Sequence, residues 1–207
     1  MEESKRKYFL SYKNMLKVVE YRGFKIDTND HKTQQYFFEE YKDCETPESI
    51  KEKLGYLIFG NENDKILLCW FKERKLGPSV RIVVDFMQTE NIKKALVVAD
   101  EGVTSGSKEI LKNLKICEKI IIDVWTLQES MIFVPDHIYV PKHSICSVKE
   151  KKRVLESYGV KQLQMPFINS DDVMVKYLGA SKNQLIQIIR ISDTNPEFMI
   201  RTYRIVV

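Results

Sequence analysis

Three charged residues in the first half of the chain have the types and order of a metal-dependent nuclease site. Asp64 precedes Glu73 and Lys75 in a D…E-x-K arrangement. Two carboxylates can hold a divalent cation, and a lysine can help to activate the attacking water. Glu and Lys recur throughout the sequence, however, so a solvated charge cluster at the end of a strand explains the pattern better. A nuclease with this site is kept as the alternative function.

A second group with possible chemistry is formed by Asp136, His137, His143 and Cys146. A zinc site usually needs four suitably spaced ligands, and this stretch has no recognisable zinc spacing. The cysteines are far apart and form no C-x-x-C pair, which favours buried reduced thiols over disulfides. The sequence also lacks Walker, G-x-G-x-x-G, G-x-S-x-G and H-E-x-x-H motifs. We therefore predict no catalytic residues, no metal and no cofactor.

Composition indicates a globular protein that is only mildly basic. The 207 residues are 43% hydrophobic and 30% charged, which suits one or two domains with real cores. The formal net charge of +4 is spread over mixed Lys and Glu, so it does not by itself identify a nucleic-acid-binding protein. No apolar run is long enough to span a bilayer. We expect a soluble, intracellular protein with no membrane partner.

The period of the apolar residues predicts an α/β organisation for the first two thirds of the chain. Helices are expected near residues 8–19 and from about Asp30 to Lys42, followed by a β-hairpin over residues 56–71. Ser79 is a candidate cap for a helix. Two short apolar runs, at residues 95–99 and 120–124, flank another helix near residues 107–115 and predict parallel buried strands. The sequence Thr126-Leu127-Gln128-Glu129 then has the spacing of a capping box that opens a further short helix.

The pattern changes after Pro135 and Pro141, which predict a domain boundary. The sequence Ser147-Val148-Lys149-Glu150 has the spacing of a capping box, and the helix that it opens is expected to stop at Gly159. Asp171 or Asp172 caps a shorter helix that ends at Gly179, and two strands follow. We therefore predict an α/β domain with a mixed sheet over residues 1–135 and a small α+β domain over residues 136–207.

An ordered set of motifs in the last third resembles the C-terminal domain of eukaryotic RNA polymerase subunit five and the smaller archaeal counterpart of that domain. The motifs, in chain order, are Val140-Pro141-Lys142-His143, Gln164-Met165-Pro166-Phe167-Ile168, Asp171–Gly179, Ile186–Arg190 and Thr202–Val206. Earlier segments resemble the eukaryotic protein more weakly, namely Arg22-Gly23-Phe24, Gln88–Ile92 and Gly102-Val103-Thr104. Because the archaeal counterpart lacks this first domain, the resemblance is to the eukaryotic form and covers nearly the whole chain.

The resemblance implies a non-catalytic subunit of a multisubunit DNA-dependent RNA polymerase. The C-terminal assembly domain would dock on the largest subunit and contact other subunits. The N-terminal jaw domain would lie near downstream duplex DNA and contact it weakly, without sequence preference. The expected interface residues are Tyr177, Gly179, Arg190, Tyr203 and Arg204. The expected DNA-proximal residues are Lys72, Arg74, Lys75, Ser105 and Lys108. A third hypothesis is a free module that binds a transcription factor without polymerase.

Departures from the family pattern indicate a divergent copy. The family loop G-x-T-P-S-A reads Gly102–Ser107 here, without the proline, and its D-P-V reads Asp172-Val173-Met174. Its turn K-R-G reads Ser181-Lys182-Asn183, where Asn tolerates the left-handed conformation. Such divergence favours a copy outside the nuclear polymerases, with a large DNA virus as the source. The expected location is host cytoplasm and virion for a viral protein, or the nucleus for a cellular one.

Overall fold

The chain divides into two compact units, Met1–Ile132 and Phe133–Val207. The computed structural model describes residues 2–27, 33–61, 64–191 and 198–207. The division falls just before the predicted boundary between residues 135 and 136. Each unit has its own sheet.

The first unit is an α/β structure built on a mixed sheet. Its helices are α1 (Glu2–Tyr21), α2 (Gln34–Glu40), α3 (Pro47–Leu54), α4 (Val80–Thr89), α5 (Ser105–Asn113), a π-helical turn (Leu114–Glu118) and α6 (Leu127–Ser130). Its strands are β1 (Tyr56–Asn61), β2 (Asp64–Trp70), β3 (Lys94–Ala99) and β4 (Ile121–Thr126). The order is β1-β2-β3-β4, with β1 antiparallel to β2 and the other pairs parallel. This confirms the predicted hairpin and the predicted strand–helix–strand unit.

Helices pack on both faces of this sheet because successive side chains of a strand point to opposite sides. On one face, Leu67 and Val97 join a core cluster with Val83 and Met87 of α4. On the other face, the Trp70 ring stacks on Tyr12 of α1 with 5.9 Å between ring centroids. A sheet covered on both faces requires the near-continuous apolar strands seen in the sequence.

The starts of the helices in the first unit show which local sequence signals predicted a helix start correctly. The capping box of Thr126 and Glu129 opens α6 as predicted. Ser79 precedes α4, but its side chain makes no cap hydrogen bond and donates to Glu73 instead, so its predicted capping role is wrong. Helix α2 starts after Thr33, and the predicted start at Asp30 lies outside the described residues. Helix α3 was not predicted.

The second unit is a small α+β structure. It contains a 3₁₀ turn (Val134–Asp136), β5 (Lys142–Ile145), α7 (Val148–Tyr158), a 3₁₀ turn (Gln162–Gln164), β6 (Phe167–Ile168), α8 (Val173–Leu178), β7 (Leu185–Ile191) and β8 (Met199–Val206). The order is β5-β7-β8-β6. Strand β8 is antiparallel to β7 and parallel to β6, while β5 is antiparallel to β7.

The caps of the second unit follow the sequence signals closely. Ser147 and Glu150 form the predicted capping box of α7, and Gly159 ends that helix in the left-handed conformation. Of the two candidate caps for α8, Asp172 is the one used, since its carboxylate accepts from the Met174 N–H at 2.8 Å. Asn183 has φ of 69°, which confirms that the turn survives without glycine.

The core of the second unit lies on both faces of its sheet. Ile186, Ile188 and Val206 pack with Val175 of α8 on one face. Leu185 and Ile205 pack on the other face with Met165 and with residues of α7. Internal packing therefore explains most of the apolar side chains of β7 and β8.

Candidate interaction surfaces

The carboxyl ends of β2 and β3 meet at one edge of the first sheet because the two strands are parallel. The chain after β2 is joined to the chain after β3 by backbone hydrogen bonds. Glu101 N donates to Arg74 O at 2.7 Å, and Leu76 N donates to Gly102 O at 2.8 Å. The five predicted DNA-proximal residues follow these two strands, so the topology places them all at this carboxyl edge.

Acidic neighbours neutralise most of the positive charge at the carboxyl edge. Lys72 pairs with Glu52, and both Arg74 and Lys75 pair with Glu101. The hydrogen bond from Glu52 raises the pKa of Lys72. These groups are exposed, so the pairs contribute little to stability, but they reduce the positive field available to a phosphate.

Two of the predicted DNA-proximal residues lie on α5. Ser105 is the first residue of the helix and is exposed. Lys108 is also exposed and, within the described ranges, carries no ion pair. Of the predicted cations at this edge, Lys108 therefore has the charge most available to an external anion.

Beneath the carboxyl edge lies a buried polar group that the sequence did not reveal. Lys51 of α3 is buried, and its Nζ donates to Asp100 Oδ2 at 2.7 Å and to the Lys72 carbonyl at 3.2 Å. The Tyr8 hydroxyl donates to Asp100 Oδ1 at 3.1 Å. Burial, assisted by Asp100, raises the pKa of Tyr8. These bonds tie α1, α3 and the ends of both strands together and hold the edge in place.

The Lys51 site was missed because α3 was missed. The usable signal was Thr46-Pro47, since Thr46 caps the helix and Pro47 occupies its first turn. Even with α3 predicted, one lysine among several on a helix gives no sign of burial.

An apolar pocket of about 430 Å³ opens beside the same edge. Tyr56, Trp70, Phe71, Ile82 and Val83 contribute to its lining. Burial raises the pKa of the Cys69 thiol, which also lines the pocket, to about 12. The thiol therefore stays protonated and is a poor nucleophile.

The three residues of the nuclease hypothesis are not brought together. Asp64 begins β2, whereas Glu73 and Lys75 follow its other end. A strand of this length separates the two ends by about 20 Å. Asp64 binds Lys94 at 2.8 Å, and Lys75 binds Glu101 at 3.3 Å. The nuclease interpretation therefore has no site, because a shared cation requires direct contact with both carboxylates.

The histidines near the boundary are held by local bonds. Nδ1 of His143 donates to the Pro141 carbonyl at 2.6 Å, and Nδ1 of His137 accepts from the Tyr139 N–H at 3.3 Å. His143 pairs with Ile188 on one face of the sheet, whereas Cys146 packs with the cluster on the other face. Across the described part of the chain, no three His, Cys, Asp or Glu side chains are grouped so as to hold a metal ion.

Two of the predicted interface residues hold the second unit together. Tyr177 is almost fully buried, its hydroxyl accepts from the Val134 N–H at 3.2 Å, and its ring meets Phe133 edge-on. Gly179 ends α8 in the left-handed conformation. The assignment of Tyr177 as a contacting residue is therefore corrected, because a buried ring has no surface to offer a partner.

The other three predicted interface residues lie on opposite faces of the second sheet. Tyr203 and Arg204 are consecutive in β8 and therefore point to opposite sides. The Tyr203 hydroxyl accepts from Gln187 Nε2 at 3.1 Å, and Arg204 Nη1 donates to the Phe167 carbonyl at 3.0 Å. Arg190 is exposed near the end of β7. The predicted set therefore does not form one continuous surface.

The outer ends of β7 and β8 expose apolar side chains that sequence reasoning did not single out. These are Ile191, Phe198, Met199 and Ile200, each about half exposed or more. Alternation alone could not separate them from core positions, because inward and outward side chains are both apolar there. Among the described helices, none is both long and apolar enough to cross a membrane.

Comparison with known proteins agrees with this architecture. Residues 132–206 match the family described as RNA polymerase Rpb5, C-terminal domain. That range coincides closely with the second compact unit. The motifs from which the resemblance was inferred all lie in it, apart from the weaker N-terminal ones.

Similarity to whole polymerase subunits extends over both units. The chain is 26% identical to the DNA-directed RNA polymerases I, II, and III subunit RPABC1 of Caenorhabditis elegans, over 94% of this chain and 93% of the relative. It is 28% identical to the corresponding Dictyostelium discoideum protein, over 70% of this chain and 73% of the relative. It is 22% identical to the DNA-directed RNA polymerase V subunit 5A of Arabidopsis thaliana, over 90% and 82%. The resemblance to the eukaryotic shared subunit five is thereby confirmed.

Proposed function

We propose that this chain is a non-catalytic subunit of a multisubunit DNA-dependent RNA polymerase. The observation that carries the proposal is similarity along 94% of the chain to subunits named as shared among RNA polymerases, with the Rpb5 C-terminal domain as its second unit. The described residues add no competing active site, since Asp64 lies far from Glu73 and Lys75. In this proposal the second unit is the assembly domain and the first unit is the jaw domain.

The second unit docks on the largest polymerase subunit. Supporting this, its exposed apolar side chains at the ends of β7 and β8 would leave water on association. Arg190 pairs with Ile200 in that region, and Arg204 lies opposite Ile186 farther along the same strands. Both arginines are exposed and can contribute polar contacts. A domain this small has a limited core of its own, so burial against a partner adds to its stability.

The carboxyl edge of the first unit faces downstream duplex DNA. Glu52 and Glu101 neutralise Lys72, Arg74 and Lys75, so contacts with phosphate are expected to be few, weak and independent of sequence. Lys108 has the most available charge of the predicted set.

The polymerase to which this chain belongs is not one of the nuclear RNA polymerases. Supporting this is the divergence of the Gly102–Ser107 and Asp172–Met174 segments from the family pattern. A large DNA virus that encodes its own polymerase remains our proposed source, with host cytoplasm and virion as the location. A cellular copy would be nuclear, and cell fractionation with an antibody to the chain distinguishes the two.

Affinity purification of the tagged full chain from its native source tests the polymerase assignment. The expected result is recovery of the two large polymerase subunits in a fixed ratio, resistant to nuclease treatment. Residues 133–207 are expected to recover them as well, whereas residues 2–132 are not. Recovery of a transcription factor without polymerase would contradict the proposal and favour the free-module hypothesis.

The DNA contact is tested in the assembled polymerase. We expect Lys108→Gln to lower the salt slope of log K for downstream DNA by up to about 0.9, the value for one lost phosphate contact. Lys65→Gln, at the opposite end of β2, is the matched control and should leave the slope unchanged. An unaltered slope for both variants in a fully assembled enzyme would show that Lys108 does not touch DNA.

A further inference from the structure

One face of the second sheet is only partly covered by α7. Val154 and Leu155 of the helix pack over Leu185 and Ile205. Farther along the same face, Gln187 and Tyr203 are half-buried beside α7, and Arg201 is exposed. This open part, together with the adjoining side of α7, is called the α7 ledge below.

The α7 ledge contains two adjoining pockets of different character. A polar pocket of about 270 Å³ is lined by residues that include Ser144, Glu150, Arg153 and Gln187. An apolar pocket of about 360 Å³ lies between Tyr158, Val160, Met165 and Pro166. Arg201 and Tyr203 line both pockets, so the two pockets share a wall.

The polar pocket has a net positive charge, because two arginines and one glutamate line it, although the charge of Arg153 also acts on Glu150. Arg153 and Arg201 are exposed, and neither forms an ion pair within the described ranges. Glu150 is the acid nearest to them in the lining, but its carboxylate accepts from the Ser147 N–H at 2.7 Å as part of the helix cap. Hydrogen bonds from Ser147 lower the pKa of Glu150 and hold it in that role.

Two of the neutral polar groups of the pocket are engaged with each other. The Gln187 amide donates to the Tyr203 hydroxyl at 3.1 Å, which fixes the wall between the two pockets. The Tyr158 ring meets Tyr203 edge-on at 6.2 Å between centroids and closes the apolar side. The guanidinium groups of Arg153 and Arg201 are the charged donors in this lining, and their planar N–H groups suit bidentate pairing with a carboxylate.

We propose that the α7 ledge binds an acidic segment of another polypeptide. A carboxylate of that segment pairs with Arg153 and Arg201, and a neighbouring apolar side chain enters the pocket between Tyr158 and Met165. The apolar pocket beside the cations favours a peptide over duplex DNA, because the bases of a duplex are paired and stacked inside it and leave only the phosphate backbone to reach the pocket. The inference rests on the proposed function and deepens it by giving the chemistry of a contact made by the assembly domain.

Binding of a designed peptide to the full chain tests this inference. The probe is a fluorescein-labelled peptide, Gly-Ser-Glu-Leu-Glu-Leu-Glu-Ser-Gly, followed by fluorescence anisotropy at low salt. The double variant Arg153→Gln/Arg201→Gln is expected to bind at least about tenfold more weakly, a loss of about 1.4 kcal/mol. The matched control Arg6→Gln/Arg81→Gln removes the same charge from exposed positions of the first unit and should bind within about twofold of the parent. Each single variant is measured as well, so that a folding defect in one double variant does not decide the result.

Two further probes separate charge from shape. A peptide with Gln in place of Glu and one with Ser in place of Leu should both bind at least about tenfold more weakly than the parent peptide. If the two double variants lose the same affinity for the peptide, the loss reflects net charge alone, and the inference is overturned. Undiminished binding of the Ser peptide would also overturn the inference. So would displacement of the parent peptide by a duplex oligonucleotide, if that displacement requires Arg153 and Arg201.

The result is independent of the purification experiment. If the chain recovers polymerase subunits but does not bind the peptide, only the inference that the α7 ledge binds an acidic peptide is disproved. A chain that binds the peptide but recovers no polymerase subunits disproves the proposed function and leaves the ledge in place.

Discussion

Lys51 shows how one buried charge can organise the carboxyl edge of the first sheet. Its side chain is only 2% exposed, and its partner Asp100 directly follows β3, where the side chain is 26% exposed. Removing one member of a buried pair leaves the other without compensation and costs more than the pair contributes. Partial exposure of Asp100 reduces this penalty by allowing water to solvate its carboxylate.

We predict that Lys51→Met lowers the free energy of unfolding by about 2 kcal/mol, because Asp100 loses its cation and the Lys72 carbonyl loses a donor. Urea denaturation of the full chain, followed by tryptophan fluorescence, measures the change, since both Trp70 and Trp125 lie in the first unit. The control Lys72→Met removes an exposed lysine and should leave the free energy of unfolding nearly unchanged. Equal effects of the two substitutions would show that Lys51 is no more than a surface charge.

His143 is a second residue whose burial has a measurable consequence. Burial lowers its pKa below the ordinary value of 6.5, against the raising effects of the Pro141 carbonyl and Asp172, while Arg190 lowers it further. The unfolded chain therefore binds a proton more readily than the folded chain. By linkage, the stability contributed by neutral His143 is present above the unfolded pKa and is lost as pH falls through the folded pKa.

We predict that residues 133–207 become less stable as pH falls from about 7.5 to about 5.5. Urea denaturation at both pH values, followed by circular dichroism, measures the loss. His143→Gln is expected to reduce this pH dependence, because glutamine does not titrate. A His143→Gln fragment with the full pH dependence of the parent would assign the effect to other groups.

At the scale of single elements, the end of α8 depends on backbone conformation. Gly179 has φ of 63°, and its N–H donates to the Lys176 carbonyl at 3.2 Å. A side chain in this left-handed conformation clashes with the following carbonyl, and glycine avoids the clash. The chain beyond this point turns toward β7, so the conformation also positions the central strands of the sheet.

We predict that Gly179→Val destabilises residues 133–207 by at least about 1 kcal/mol, since a β-branched residue is strongly disfavoured in the left-handed region. Thermal unfolding of the fragment measures the effect. Gly179→Asn is the matched control, and it should cost less because Asn tolerates this conformation, as Asn183 does at φ of 69°. Equal stability of the Val and Asn variants would show that the turn relaxes to another conformation.

At the scale of the whole molecule, residues just before the predicted boundary belong to the second unit. The Phe133 ring packs edge-on against Tyr177 at 5.4 Å, and the Val134 N–H donates to the Tyr177 hydroxyl at 3.2 Å. A fragment that begins at Asp136 loses both contacts.

We predict that residues 133–207 fold cooperatively and are more stable than residues 136–207 by about 1–3 kcal/mol, the combined contribution of an aromatic pair and a buried hydrogen bond. Parallel urea titrations of the two fragments measure the difference. Phe133→Ala in the longer fragment should account for part of it. Two fragments of equal stability would show that the boundary after residue 135 is sufficient.

Much of the architecture was available from sequence alone because it rests on local signals. The continuous apolar runs predicted the parallel strands β3 and β4, but only β3 is buried and β4 is half-buried. The capping boxes at Thr126 and Ser147 predicted where α6 and α7 begin. The ordered motifs after Val140 indicated the polymerase subunit family. These features depend on the periodicity and spacing of residues that are close in sequence, so they can be identified from a single sequence.

Only the tertiary structure decided which charged and aromatic residues are available to a partner. Lys72, Arg74 and Lys75 look like free cations in sequence, but Glu52 and Glu101 reach them from separate segments. Tyr177 looks like an interface anchor, but the fold buries it. Arg153 and Arg201 lie far apart in sequence, and the packing of α7 on the sheet places both at one pocket. Availability depends on the sum of contacts from distant segments, so no local pattern can report it.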